Sequence, residues 1–165
     1  MPSKASAAER LANLKRVAEE IAPDTLWMDV WEAQAGETFH PWSAKLVAPG
    51  MRQCQQWHCG TVRCLAGWAT LDHFFQGQGL SMWRDDHGHM AMVQYTFPDE
   101  DGKDYTVHGH GALQLFFHGL ELPTGRYNID YLFSTSTYVH CQTPEEVHAE
   151  VLRRIDQLIE LNPDV

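Results

Sequence analysis

Apolar residues recur at helical spacing near the N-terminal end of the chain. Ser6 and Glu9 form an S-x-x-E capping box, which satisfies backbone N–H groups at the start of a helix. Pro23 cannot continue a helix, so it marks the end of this segment. The pattern predicts one amphipathic helix, and its buried stripe consists of Leu11, Leu14, Ala18 and Ile21.

A second amphipathic segment lies near the C-terminal end. Thr143 is a favourable N-cap, Pro144 suits the first helical position, and Glu146 completes a second capping box. The helix predicted here buries a stripe of Val147, Val151, Ile155, Leu158 and Ile159.

Three more helices are predicted in the middle of the chain. Residues 61–76 indicate one helix that is ended by Gly77 and Gly79. Shorter apolar helices are expected within 111–120, ending near Gly119, and within 127–133. The buried face of the first of these helices would carry Cys64, Trp68, Leu71 and Phe75.

A β-hairpin is predicted between these helices. Residues 89–97 alternate between apolar and polar side chains, which is typical of a strand with one buried face. The Asp-Gly pair at 101–102 favours a tight turn, and residues 105–109 would return antiparallel. A two-residue turn at this point places Tyr95 opposite His108. The buried side of the first strand would carry Ala91, Val93, Tyr95 and Phe97.

Together these elements predict an α+β fold, with four or five helices packed on a small antiparallel β-hairpin or sheet. The chain has 165 residues, of which 44% are hydrophobic. No linker or repeat divides it, so residues 1–165 are expected to form a single globular domain. Neither a membrane-spanning stretch nor a secretory signal is present, which predicts a cytoplasmic protein.

The charge balance narrows the choice of partner. The chain has 12 Lys and Arg against 22 Asp and Glu, a formal net charge of -10. This charge repels nucleic-acid phosphates and anionic membranes, whereas it attracts a basic protein, including the cleft of a nucleic-acid-binding enzyme. A domain of this size cannot bury every tryptophan at its centre, and exposed aromatics often anchor interfaces. The candidate anchors are Trp27, Trp31, Trp42, Trp57 and Trp83.

The segment HCGTVRCLAGWA, residues 58–69, concentrates the candidate chemistry, and three hypotheses fit it. In the first, Cys64 is a small buried side chain in the first turn of an interior helix. Gly67 is costly inside a helix, so we expect another backbone to pack closely against it. On this hypothesis the cysteines serve packing and take part in no reaction.

The second hypothesis is a zinc site. Cys54, Cys59 and Cys64 are spaced five residues apart, and His58 lies among them. Zinc takes four nitrogen or sulfur ligands in a tetrahedron. Residues five apart on one helix point about 140° away from each other. The thiolates therefore converge only if Cys59 precedes the helix.

The third hypothesis makes Cys59 a catalytic nucleophile. A cysteine just before a helix N-terminus has its thiolate stabilised by backbone amides and by the helix dipole, which lowers its pKa. Such an enzyme also needs a base within reach of the sulfur. His58 and His140 are the candidate bases.

Ten histidines include two His-Gly-His runs, at 87–89 and 108–110. Residues i and i+2 of a strand share one face, so each run could chelate a metal. With Tyr95 opposite His108, however, the four imidazoles are offset along the hairpin. The predicted register therefore argues against a compact four-histidine site.

The segment CGTVRCLAGWA resembles one found in a loose group of uncharacterised small phage and bacterial proteins. They carry a Cys-Gly-Thr-x-x-Cys-x-Ala-Gly-Trp segment, a later short apolar helix, a Leu-Phe pair like Leu132-Phe133, and a Thr-Pro-Glu-capped final helix. The similarity covers residues 26–160. It implies a shared fold and a phage or mobile-element setting, and it transfers no catalytic residue because the group has no assigned activity.

The sequence therefore predicts a small acidic cytosolic protein that binds another protein, such as a phage-borne regulator or inhibitor of a host protein. Two alternatives stay open. One is a cysteine-dependent hydrolase or transferase centred on Cys59, and the other is a zinc-stabilised binding domain. No nucleotide-binding or hydrolase signature is present, and no cofactor other than zinc is expected.

Overall fold

The structure, a computed structural model, describes residues 4–26, 33–34, 61–62, 64–84 and 91–163. Within these ranges six α-helices accompany a three-stranded antiparallel sheet, which confirms the predicted α+β class. No helix in the described ranges is long and apolar enough to cross a membrane. The helices are α1 (Ala7–Glu20), α2 (Leu65–Ala69), α3 (His73–Gly77), α4 (His110–Phe116), α5 (Asp130–Phe133) and α6 (Pro144–Leu161), with 3-10 turns at Pro23–Thr25 and Thr135–Tyr138.

The strands form two separate antiparallel pairings. A short two-stranded sheet joins β1 and β2, and a three-stranded sheet has the order β3-β4-β5. The inner face of β4 packs against α4, and α1 packs against α6. The strands are β1 (Ala33–Gln34), β2 (Thr61–Val62), β3 (Leu80–Arg84), β4 (Ala91–Pro98) and β5 (Asp104–His108).

Both end helices begin at the residues that the sequence indicates. The Ser6 hydroxyl accepts a hydrogen bond from the N–H of Glu9 at 3.1 Å, and the Glu9 carboxylate accepts one from the N–H of Ser6 at 2.7 Å. At α6, the Thr143 hydroxyl accepts from the N–H of Glu146 at 3.1 Å. The predicted stripes of α1 and α6 are buried except for a partly buried Ile159.

The single helix predicted over 61–76 is wrong, because the segment holds β2, α2 and most of α3. The Asp72 carboxylate accepts from the N–H of Phe74 at 3.0 Å and from the Arg16 guanidinium at 2.9 Å, so Asp72 caps a new helix, α3. The break turns Leu71 outward, where its side chain is 46% exposed, while Phe75 is fully buried. This division raises the five expected helices to six.

The predicted hairpin is confirmed, but its register is off by one residue. The Asp99 carboxylate accepts from the N–H groups of Asp101 and Lys103, at 2.9 and 2.7 Å, and Gly102 has a φ of 77°. The loop therefore has three residues, with the left-handed glycine at its end, rather than two. Tyr95 lies opposite Val107. A one-residue shift exchanges the two faces of a strand, so His108 lies on the outer face.

A close approach between backbones connects α3 to the sheet at Gly79. The Gly79 carbonyl accepts from the N–H of Thr96 at 2.9 Å. Gly79 has a φ of 94°, and a Cβ atom there would lie 2.2 Å from the Thr96 carbonyl oxygen. Only glycine fits a position that combines this φ with this contact.

Candidate functional site

The structure describes two of the residues in the catalytic and zinc hypotheses. Cys64 and His140 lie within the described ranges, whereas Cys54, His58 and Cys59 lie outside them. No hydrogen bond joins Cys64 to His140 in the part of the chain that is described. Both hypotheses therefore stay predictions for the residues on which they depend.

Cys64 is the N-cap of α2, and its side chain is part of the core. The sulfur accepts a hydrogen bond from the N–H of Gly67 at 3.4 Å, and the residue is 3% exposed. Burial raises the pKa of the thiol to about 11, although the hydrogen bonds from nearby backbone N–H groups oppose this shift. As described, the Cys64 thiol is neutral and packed against apolar neighbours.

His140 is exposed in the turn that follows the second 3-10 helix. Its neighbour Cys141 is buried, and burial raises the pKa of that thiol. Among the described residues, no group of three or more His, Cys, Asp or Glu side chains is placed to hold a metal ion.

The His-Gly-His run at 108–110 does not form a chelating pair on one strand face. β5 ends at His108, and Gly109, with a φ of 70°, turns the chain into α4. The His108 ring meets the edge of Trp83 on the outer face of the sheet, with centroids 5.7 Å apart. The His110 ring lies 3.1 Å from the Asp130 carboxylate. The other run, at 87–89, lies outside the described residues.

The end of the β4–β5 hairpin, residues 97–105, combines aromatic rings with carboxylates; we call it the hairpin tip. Phe97 lies opposite Tyr105, and their rings stack with centroids 6.4 Å apart. Tyr105 is 52% exposed. A shallow hollow of about 420 Å³ lies beside the rings, and it is lined by Phe97, Asp99, Glu100, Asp101 and Tyr105.

The ring pair is held in place from inside the molecule. The Phe97 ring lies tilted against the buried Tyr95 ring, with centroids 5.0 Å apart, and Tyr95 makes a T-shaped contact with Phe116, with centroids 5.1 Å apart. The rings thus connect the tip to the core. An aromatic surface supported in this way loses little conformational entropy on binding, which favours affinity.

The carboxylates of the tip divide into two groups. Asp99 is half-buried and holds the loop through its two backbone hydrogen bonds. Glu100, Asp101 and Asp104 are exposed, and Lys103 is the one cation among them. Carboxylates form strong hydrogen bonds with guanidinium and ammonium groups, and an aromatic face attracts the same cations. The tip is therefore suited to a lysine or arginine side chain.

The sequence pattern does not reveal this site, because the alternation of β4 assigns Phe97 to the core and the composition after it indicates only a turn. The available signal was an aromatic residue on each side of an acidic loop, at Phe97 and Tyr105. Recognising that the two rings stack requires the correct hairpin register, which the two-residue turn did not provide.

The functional assignment rests on the geometry and the charge of the hairpin tip. No protein-family model, curated protein or solved structure matches this chain.

Proposed function

We propose that the protein acts by binding a basic surface of another protein through its hairpin tip. The observation that carries the proposal is the stacked Phe97–Tyr105 pair, set beside the exposed carboxylates of Glu100 and Asp101. A lysine or arginine of the partner would lie over the face of Tyr105 and meet these carboxylates at its charged end.

The charge of the whole chain supports the same kind of partner. A net charge of -10 steers a basic protein toward the acidic surface and speeds its association. This property suits a phage-borne cytoplasmic regulator or inhibitor of a host protein. A basic cleft that normally holds nucleic acid is one surface of matching chemistry.

A direct test is to titrate the isotope-labelled protein with a short Arg- and Lys-rich peptide and to follow its backbone amides by NMR. The same peptide with glutamine at each basic position is the control ligand. We expect shifts concentrated in residues 97–105 with the basic peptide alone. Because exposed ion pairs are screened by salt, we expect the affinity to fall as salt is raised.

Charge-matched variants separate the tip from the overall charge. Glu100→Lys with Asp101→Lys is expected to weaken peptide binding about tenfold, equivalent to about 1.4 kcal/mol. Glu19→Lys with Glu160→Lys changes the net charge by the same amount, and both sites lie in the last turn of a helix, where a cation is favourable. This control is expected to have a smaller effect. Equal losses in the two variants would contradict the proposed site.

The aromatic part of the site is tested separately with Tyr105→Ser, which keeps every carboxylate. We expect this variant to weaken peptide binding about three- to tenfold, because the cation loses its aromatic face. Binding that is unchanged in this variant would show that the carboxylates act without the ring pair.

A further inference from the structure

The outer edge of β5 presents a row of backbone groups that β4 does not use. The N–H of Asp99 donates to the Lys103 carbonyl at 2.8 Å, and the N–H of Gly109 donates to the Val93 carbonyl at 2.7 Å. Hydrogen-bonded and non-bonded pairs alternate along an antiparallel ladder. Tyr105 and Val107 therefore form backbone hydrogen bonds with β4, between those that Lys103 and Gly109 form on either side of them.

It follows that three residues of β5 direct their backbone N–H and C=O groups away from the sheet: Asp104, Thr106 and His108. All three are exposed, and in the described part of the chain β5 is the last strand in the order β3-β4-β5. An exposed strand edge of this kind is a template for pairing with another strand.

The sequence of this edge is complementary to itself. When two antiparallel copies of Asp104–His108 are centred on Thr106, Asp104 lies opposite His108 of the second copy. Tyr105 then lies opposite Val107 of the second copy. The first pair joins a carboxylate to an imidazole, and the second joins two apolar side chains; both kinds of cross-strand pair are favourable.

We propose that this edge binds a second copy of the chain, so that two three-stranded sheets join across a two-fold axis at Thr106. All three outward-facing residues then pair, and each pair exchanges two backbone hydrogen bonds. Sliding one copy by two residues leaves one of these pairs unmade. Sliding it further places Asp104 opposite Asp104, where like charges repel.

The interface goes beyond the proposed function and does not depend on it. Antiparallel pairing sends the two hairpin tips to opposite ends of the joined sheet, and Asp104 and Tyr105 of each tip also lie in the interface. A single strand pair buries little surface, and each copy carries a charge of -10. We therefore expect weak association, with a dissociation constant of about 10–100 µM, which tightens as salt screens the repulsion.

Sedimentation equilibrium over a concentration series tests the proposal. The wild-type chain is expected to rise from its monomer mass of 18.8 kDa toward twice that value as its concentration approaches about 1 mM. A wild-type chain that stays monomeric over this range, at both low and high salt, would overturn the proposal.

Thr106→Pro blocks the edge and leaves the hairpin intact. The N–H of Thr106 points outward, so its removal costs no backbone hydrogen bond to β4, and proline is tolerated at such edge positions. The one bond lost is the exposed contact between the Thr106 and Thr96 hydroxyls at 2.9 Å. We expect this variant to stay monomeric with an unchanged circular dichroism spectrum. A folded variant that dimerises like the wild type would contradict the proposal.

A charge swap tests the register and does not rely on proline. Asp104→His places two imidazoles opposite each other across the interface, and His108→Asp places two carboxylates there. Each single variant is expected to weaken dimerisation several-fold, and the double variant D104H/H108D is expected to restore it. A double variant that is no tighter than the two single variants would exclude this register, and the proposal with it.

Discussion

Two buried arginines show how differently one molecule compensates the same charge. Arg10 of α1 and Arg154 of α6 are each 3% exposed. Each guanidinium carbon lies 4.0 Å from the centre of an aromatic ring, that of Phe116 for Arg10 and that of Tyr138 for Arg154. Their burial and their aromatic contacts are thus alike.

Their hydrogen bonds are not alike. Arg154 donates to the Glu150 carboxylate at 2.9 Å, to the Thr137 hydroxyl and carbonyl at 2.7 and 2.6 Å, and to the Tyr131 carbonyl. It therefore joins α6 to α5 and to the 3-10 turn after α5.

Arg10 is bonded far less completely. It donates to the Phe116 carbonyl and, at 3.4 Å, to the Gln78 amide oxygen, while its Nε atom has no hydrogen-bond partner in the described part of the chain. No carboxylate among the described residues bonds to it. We therefore expect the two arginines to contribute unequally to stability despite their equal burial, because a guanidinium with all three nitrogens bonded is harder to replace.

The largest effect is expected from Arg154→Met. The variant keeps much of the apolar stem but removes the Arg154 donor from both Thr137 acceptors and from the Tyr131 carbonyl, which keeps only its bond from the Thr137 hydroxyl at 2.7 Å. We expect a loss of about 3–5 kcal/mol in the free energy of unfolding, measured by urea denaturation. Arg153→Met is the control, because Arg153 bonds to the same carboxylate but is 60% exposed. Similar losses in both variants would show that burial adds nothing to the role of Arg154.

The next effect depends on pH. Arg153 and Arg154 hold the pKa of Glu150 at about 2, below its ordinary value of 4.5. A carboxyl group whose pKa is lowered by folding stabilises the folded state above pH 4.5, and this contribution is lost as the pH falls from 4.5 through 2. We expect the free energy of unfolding of the wild type to exceed that of Glu150→Gln by about 2 kcal/mol at pH 6, measured by urea denaturation. This difference is expected to close as the pH falls toward 2. A gap that does not change with pH would contradict the ion pair.

A smaller effect is expected from Arg10→Met. The variant loses the hydrogen bond to the Phe116 carbonyl and the cation–π contact, but it also removes a buried charge that has no carboxylate partner. We expect a loss of about 1–2 kcal/mol, measured by the same urea denaturation. A loss as large as that of Arg154→Met would mean that aromatic faces alone can compensate a buried guanidinium.

The smallest effects on stability are expected from removing the hydroxyl groups of the two tyrosines beside Arg154. The Tyr138 hydroxyl donates to the Leu132 carbonyl at 2.6 Å, whereas the buried Tyr131 hydroxyl has no hydrogen-bond partner among the residues that the structure describes. Tyr138→Phe is expected to cost about 1 kcal/mol, and Tyr131→Phe to be neutral or slightly stabilising, as measured by thermal unfolding. Equal costs would show that Tyr131 also relies on its hydroxyl.

Much of the fold was predictable because its signals are local. The caps at Ser6 and Thr143 and the alternation of β4 each depend on residues a few positions apart. The register of the hairpin was not predictable, because the side-chain hydrogen bonds of Asp99 that lengthen the loop produce no periodic pattern in the sequence. Asp72 likewise divides a helix that the apolar pattern alone would continue.

Both buried arginines stand inside the apolar stripes of their helices, and this position is a sequence signal of burial. Arg154 stands three residues after Val151 and four before Leu158, inside the apolar stripe of α6. Arg10 stands four residues before Leu14, in the stripe of α1. A charged residue inside such a stripe predicts burial, but its partners come from elements distant in sequence. The exposed face of Tyr105 was hidden in the same way, because it depends on pairing across the hairpin.

The contact between Gly79 and Thr96 has a consequence for how the protein tolerates change. In a library that samples every single substitution, we expect every replacement of Gly79 to prevent folding, because its backbone is left-handed and its surroundings are crowded. Gly77, two residues earlier, has no left-handed backbone, and among the described residues no atom beyond its chain neighbours and its own helix backbone lies within 4 Å of where a methyl group would lie, so alanine should be accepted there. Any descendant of this chain that keeps its sheet is therefore constrained to inherit one glycine and is at liberty to discard the other.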